Sequence, residues 1–405
     1  MGREFDVVIW GASGFTGSLV AEYFESAYGD TLRWALAGRN RDKLSAVRDG
    51  LGQRAQNIEL IVADSHDRAS LDSMCERTTV VLTTVGPYAK YGSELVSACV
   101  AQGTHYCDLA GETQWIRRMI DGHHQAAEDA QTKIVHCCGF DSIPSDFGVW
   151  FLQQEAVRRT GSPCRSVTML LKSAKGGFSG GTAASLINLV KEAKSNRDVR
   201  RVLANPYSLN PSDEMGGPDE RDQQDVRFND LAQSWTAPFV MAAINTRVVR
   251  RSHALLGYPW GREFTYREAV MTGPGAAGAI KAGAIAGGLG AVVTGASFDF
   301  SRGLLERFIL PGAGEGPDAQ ARETGFFNLR FFGELNDGSI LQTKVTGDRD
   351  PGYGSTAKML SESAVCLAKD PLPGSGGVLT PVVAMGEVLH RRLETKAGLQ
   401  FSVVA

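Results

Sequence analysis

The chain has 405 residues, more than one hydrophobic core ordinarily organises, so two domains are expected. Its composition, 43% hydrophobic and 21% charged, is that of a soluble globular protein, and a formal charge of −3 gives no electrostatic reason to expect nucleic acid. Seven cysteines, an odd number without CxxC or CxxH spacing, argue against a disulfide framework or a metal site and for reduced thiols in a cytoplasmic protein.

The apolar run Phe5–Trp10 predicts a buried strand so near the N-terminus that no signal peptide is expected. It runs into Gly11-Ala12-Ser13-Gly14-Phe15-Thr16-Gly17, after which Leu19 to Phe24 carries helical spacing. Strand, glycine turn and helix start together predict a pyrophosphate site. Backbone without Cβ lets amides approach the phosphates, and the helix dipole favours their charge. A second strand over Leu32–Ala37 ends at Gly38-Arg39-Asn40-Arg41, where an acid would bind a ribose hydroxyl and an arginine a 2′-phosphate. No acid is present and Arg39, Arg41 and Lys43 crowd the position, so NADP is expected, with Arg39 and Asn40 as contacts.

A third strand over 57–63 ends at Asp64, a candidate adenine contact. After a helix from Asp67, Thr79–Thr84 predicts a fourth strand running into Gly86-Pro87-Tyr88 on the nicotinamide side. His105–Leu109 and Ile134–Cys138 read as the fifth and sixth strands, with helices over Glu94–Gln102 and Gln114–Ala130. This alternation predicts a parallel doubly wound sheet whose ligands lie beyond the strands' C-terminal ends. Tyr106, Cys107, Asp108, Glu112 and Asp141 gather at that rim, where a buried carboxylate can tune or supply a proton. Strand-end caps explain each of them singly.

Beyond Asp146 the pattern changes. A helix over Phe147–Arg158 precedes a strand over Ser166–Lys172, then a second glycine turn, Gly176 to Thr182, and a helix from near Ala183. Residues 205–235 read as a long exposed, mobile loop or lid. Arg247-Val248-Val249 and Phe264-Thr265-Tyr266 look strand-like. Gly273–Gly295, rich in Gly and Ala and broken by Lys281, reads as a closely packed or interfacial helix. Phe298–Leu310 is amphipathic, fit to line a substrate channel or a core. Asn336-Asp337-Gly338 marks a hairpin, followed by helices from Gly354 and Thr380 and a final apolar stretch, Leu399–Val403.

The glycine turn, Ala37-Gly38-Arg39, Gly86-Pro87-Tyr88, the Tyr106–Glu112 stretch and Gly139-Phe140-Asp141-Ser142-Ile143-Pro144 together resemble the saccharopine dehydrogenase-like oxidoreductases over nearly the whole chain. Gly177–Thr182 and Gly376–Pro381 resemble more narrowly their trans-acting enoyl reductase branch, which serves lipid and polyketide assembly. The resemblance implies an α/β fold: a Rossmann-like doubly wound parallel sheet over 1–145, rejoined by 350–405, with an inserted α+β substrate or dimerisation domain over 146–349 containing antiparallel strands. It implies NADPH-dependent reduction of an α,β-unsaturated acyl substrate, small or carrier-bound. Tyr88 is then the first candidate acid and Asp108 the second, the Ser179-Gly180-Gly181 turn could receive a thioester or phosphopantetheine arm, and peripheral lipid contact through 273–310 and homodimerisation are compatible partners. An imine or amino-acid substrate and a non-catalytic NADP-binding protein are the alternatives. Gly177–Gly181 also fits a G-x-S-x-G elbow around Ser179, with His253 and His390 downstream, and would make the chain a hydrolase.

Overall fold

Short β-branched and aliphatic runs bounded by glycines set the strands, and a computed structural model describes residues 2–176, 180–296 and 316–404, with side chains at 182, 183 and 296 left aside. In chain order the strands are β1 (Phe5–Trp10), β2 (Trp34–Gly38), β3 (Glu59–Val62), β4 (Thr78–Thr83), β5 (His105–Cys107), β6 (Lys133–Val135), β7 (Ser166–Lys175), β8 (Arg227–Asn229), β9 (Ser234–Ala237), β10 (Thr265–Gly273), β11 (Phe326–Glu334), β12 (Ile340–Gly347), β13 (Gly377–Leu379) and β14 (Leu399–Val403). The first sheet has the order β13-β6-β5-β4-β1-β2-β3 and is parallel throughout, which is the doubly wound architecture expected. Its inner strand β1 is buried at every position, as a strand covered by helices on both faces must be.

The second sheet, β14-β12-β11-β7-β10-β9-β8, is antiparallel except where β7 meets β10. The β11–β12 hairpin turns at Asn336 to Gly338, with Gly338 at φ +84°. The helix Ile143–Thr160 passes from the first sheet onto the second. Gly148 allows this, because a side chain there would overlap the ring of Phe331. Late residues are shared between the sheets: β13 extends the first beside β6, whereas β14 pairs with β12 in the second. The helix Gly354–Lys369 packs on β1, β4 and β5.

Three expectations change. Arg247-Val248-Val249 lies inside the helix Ala242–Leu255 and not in a strand. Its arginines are buried and held by partners outside the helix, so tertiary contacts override the local β preference of the valines. Residues 205–235 are not a free lid. Tyr207 to Asn210 are buried, and Asp219 and Asp222 make buried ion pairs with Arg250 (2.7 Å) and Arg247 (2.6 Å). The helix Gly275–Ala296 is not closely packed, since Ile280 is 73% exposed. The amphipathic stretch 298–310 and residues 177–179 of the second glycine turn lie outside the described residues.

Candidate functional site

Gly11 leaves β1 at φ +89°, and both Gly11 and Ala12 donate to the carbonyl of Ala37 at the end of β2. A side chain on Gly11 would press on Val85, and one on Gly17 would overlap the Gly11 carbonyl oxygen. The outer glycines therefore exist for close approach of strand end and helix. Gly14, exposed, is the residue before the helix Phe15–Ala27, whose first turn has no side-chain cap and no acid. A thirteen-residue helix thus presents uncapped amides at its positive end, beside exposed Ser13 and partly exposed Phe15 and Thr16. This geometry suits a diphosphate, and it lies where β1 separates β2 from β4, the crevice of a doubly wound sheet.

Gly38 brings the end of β2 against this turn. A Cβ there would stand 3.8 Å from Ser13 Oγ. The following Arg39 is exposed and has no carboxylate partner among the described residues, so its guanidinium is available to an anion beside the cradle. Asn40 instead caps the next helix, accepting from the amide of Lys43 at 2.9 Å. Asp64 is similarly engaged: one carboxylate oxygen accepts from the His66 amide at 2.8 Å. The other predicted cofactor positions, Gly86 and Pro87, follow β4 on the far side of the crevice, with Gly86 exposed. The chemistry of the residues present fits a dinucleotide carrying an extra phosphate, the available donors being the turn from Gly11 to Gly17 and the exposed Arg39.

The predicted acids fare differently. The Tyr88 ring is buried and stacked on Trp115, with centroids 5.5 Å apart. Its hydroxyl donates to the Thr83 carbonyl (3.3 Å) and accepts from the Leu109 amide (3.1 Å), while burial pushes the phenol well above its ordinary range. Tyr88 clamps the ends of β4 and β5 together, facing inward. Asp108 is fully buried and saturated. One oxygen accepts from the amides of Ala110 and Cys137 (2.9 and 3.0 Å), the other from the Tyr106 hydroxyl (2.8 Å) and lies 2.7 Å from His136 Nδ1. Glu112 holds the amides of Tyr88 (2.7 Å) and Ala89 (3.0 Å) and the hydroxyl of Ser185 (2.9 Å). Burial nevertheless raises its carboxyl above the usual range.

Asp141, grouped with the rim residues by its strand-end position, differs from both. It has no hydrogen-bond partner among the described residues. It is partly exposed yet densely surrounded, and the loss of water pushes its carboxyl up to about 7. The loop that carries it is strained: Cys137 and Ser142 adopt φ values of +65° and +125° without being glycine. Asp108 holds the first through the Cys137 amide, and Asn245 accepts the Ser142 hydroxyl at 2.9 Å. Sequence reasoning could group these carboxyls but could not rank them, because the ranking depends on which of them meet amides.

Residues late in the chain roof the glycine turn. The Phe15 ring meets Tyr353 edge-on at 4.8 Å, and Tyr353 Oη accepts from the Gly180 amide at 3.0 Å. All seven cysteines are buried and free. No cluster of metal-ligating side chains occurs among the described residues. The histidines of a hydrolase reading are committed elsewhere: His253 Nε2 bonds the Gly261 carbonyl (2.9 Å), and His390 stacks on Phe151. Ser179 is outside the described residues.

Residues 7–135 match the model of the saccharopine dehydrogenase NADP binding domain. A trans-acting enoyl reductase of Mycobacterium bovis is 39% identical over 404 residues, covering 96% of each chain. A Mycobacterium tuberculosis chain provisionally named for the same activity is 41% identical over the same length and coverage. The solved saccharopine dehydrogenase (L-Glu forming) of Saccharomyces cerevisiae superposes over the whole of both chains with a TM-score of 0.54 at 12% identity, which shows a shared fold.

Proposed function

This chain belongs to the trans-acting enoyl reductases of the saccharopine dehydrogenase-like, NADP-dependent oxidoreductases, and from that premise we propose that it reduces the double bond of an α,β-unsaturated acyl thioester, presented by a carrier, in lipid or polyketide assembly. NADPH when bound supplies the hydride. The chain's own part is to hold the diphosphate at Gly11 to Gly17, the extra phosphate at Arg39 and the nicotinamide half near Gly86 and Pro87. The observation that carries the acyl reading is what the second part of the chain sets over the rim. Ile244 lies beside Gly111, about as close to it as Asp141 does, and the nearby cations Arg247 and Arg250 turn away into ion pairs with Asp222 and Asp219. An amino-acid substrate calls for a cation to pair its carboxylate, and the arginines of the helix Ala242–Leu255 nearest the rim are already committed to Asp222 and Asp219. Loss of NADPH absorbance on mixing with a panel of enoyl thioesters tests the reading. Oxidation with amino-acid-derived imines alone would replace it, and none with any substrate would leave a coenzyme-binding protein.

For partners, we propose that the helix Gly275–Ala296 rests on an anionic lipid surface. By length and composition it passes as a candidate membrane span, and only 11% of it is buried. Lys281 on the helix and Lys172 opposite line one groove with Met271 and Ile285, without an acid among the residues of that groove. An exposed glycine-rich helix is intrinsically weak in water, and an apolar interface with negative charge would stabilise it.

A further inference from the structure

Three carboxyl groups stand at the C-terminal rim of the first sheet on the nicotinamide side, and their hydrogen bonds separate them. Asp108 is saturated by two amides, the Tyr106 hydroxyl and the His136 ring. Glu112 is occupied on both oxygens by the Tyr88 and Ala89 amides and the Ser185 hydroxyl. A carboxyl whose two oxygens both meet fixed donors has them directed at those donors and not at a substrate. Asp141 alone of the three accepts nothing. It follows β6, two strands across from β4 in the sheet order, and one of its oxygens lies 4.0 Å from where a Gly111 Cβ would be. Gly111 has no side chain to cover it. The residue after Asp141 is locked in a glycine-like conformation by Asn245, whose amide is in turn fixed by Glu268 at 3.0 Å. Backbone strain is thus spent on presenting a carboxyl that makes no bond of its own.

We propose that the Asp141 carboxyl delivers the proton to the α-carbon when the acyl double bond is reduced, an inference that rests on the reductase reading above. The hydride supplied by NADPH forms the new C–H bond at the β-carbon, and the π electrons move toward the thioester carbonyl. The Asp141 O–H bond breaks as its proton forms the C–H bond at the α-carbon. The carboxylate left behind regains a proton from water, so one NADPH and one proton are consumed for each double bond. The arrangement supports the role in one further respect. Burial without a neighbouring cation keeps Asp141 protonated up to about pH 7, a value matched to donating near neutrality. The titratable groups that feel its charge are Tyr88 from the segment after β4 and Cys137 from its own loop, while Asp108 and Glu112 stand elsewhere on the rim. Burial biases Tyr88, Glu112 and Cys137 toward their neutral forms.

The variant Asp141→Asn keeps size and shape and tests this directly. We expect its kcat/KM with an enoyl thioester to fall by about 10²–10⁴, the usual contribution of a general acid, while calorimetry shows NADPH affinity unchanged within about twofold. Wild-type turnover should decline as pH rises through about 7, and the residual rate of the variant should lose that limb. Asp141→Glu should restore part of the rate. A second readout needs no turnover: carbon-13 spectra of coenzyme-free protein labelled at aspartate should contain two carboxyls titrating near 7, those of Asp141 and Asp146, and Asp141→Asn should lose one of them. A variant that keeps its rate and pH limb, or spectra from which Asp141→Asn removes no such carboxyl, overturns the assignment and leaves the reductase reading intact. A wild type that oxidises NADPH with no enoyl thioester overturns both.

Discussion

The two sheets bury charge in opposite ways. At the rim of the parallel sheet, carboxylates are held by backbone amides: Asp108 by Ala110 and Cys137, Glu112 by Tyr88 and Ala89. Beside the second sheet, Arg250 and Arg247 pair with Asp219 and Asp222, while Glu268 on β10 is pushed up to about 7 by burial. Amides at strand ends are part of the fold and fix the rim without any further partner. Side-chain pairs must be assembled from remote segments, here residues 205–235 against the helix Ala242–Leu255. The rim of the first sheet is therefore fixed by its own backbone, whereas the seating of residues 205–235 rests on side-chain pairs.

The sharpest break of this contrast is at the cradle. Gly17→Val forces a branched side chain into the Gly11 carbonyl, and we expect NADPH binding to be lost by more than about 100-fold and stability to fall by about 3 kcal/mol or more, read by calorimetry and urea unfolding. Next comes the second region. Asp219→Ala strands Arg250, buried with 3% of its side chain exposed, and also removes the acceptor for the Tyr207 hydroxyl and the Tyr266 amide. It should cost about 3–5 kcal/mol in urea unfolding and expose residues 205–235 to limited proteolysis.

Smaller effects sharpen the comparison further. Arg39→Ser should weaken NADPH about 10- to 100-fold and NADH hardly at all, because a guanidinium beside a 2′-phosphate contributes of order one to three kcal/mol. Equal weakening of the two coenzymes would remove Arg39 from the site. Glu268→Gln addresses linkage. The folded carboxyl titrates at about 7 against an ordinary value of 4.5, so folding takes up a proton between those values and stability must decline as pH rises from 4.5 through 7. The amide cannot titrate, so urea midpoints at pH 5 and pH 8 should differ less in the variant than in the wild type, Asp146 retaining its own share of the slope. Smallest is Lys281→Ala, which should lower cosedimentation with phosphatidylserine vesicles about fivefold, about 1 kcal/mol being lost with one charge unit. Wild-type protein that ignores vesicles but dimerises through this helix would assign the surface to a second copy.

The sequence by itself determined the parallel sheet, the glycine cradle and its basic neighbour Arg39. These follow from local rules: an apolar run makes a buried strand, and glycines permit a close turn of strand into helix. The hairpin at Asn336 to Gly338 and the helix starts at Gly354 and Thr380 were legible for the same reason. Only the tertiary structure decided that Val248 and Val249 sit in a helix, that residues 205–235 are pinned, and that β13 and β14 end in different sheets. It also decided which rim carboxyl is free. Tyr88, Asp108, Glu112 and Asp141 look alike as polar residues at strand ends. Their chemistry diverges because hydrogen bonds, most of them from residues distant in the chain, occupy both oxygens of Asp108 and of Glu112 and neither oxygen of Asp141, a matter of three-dimensional proximity.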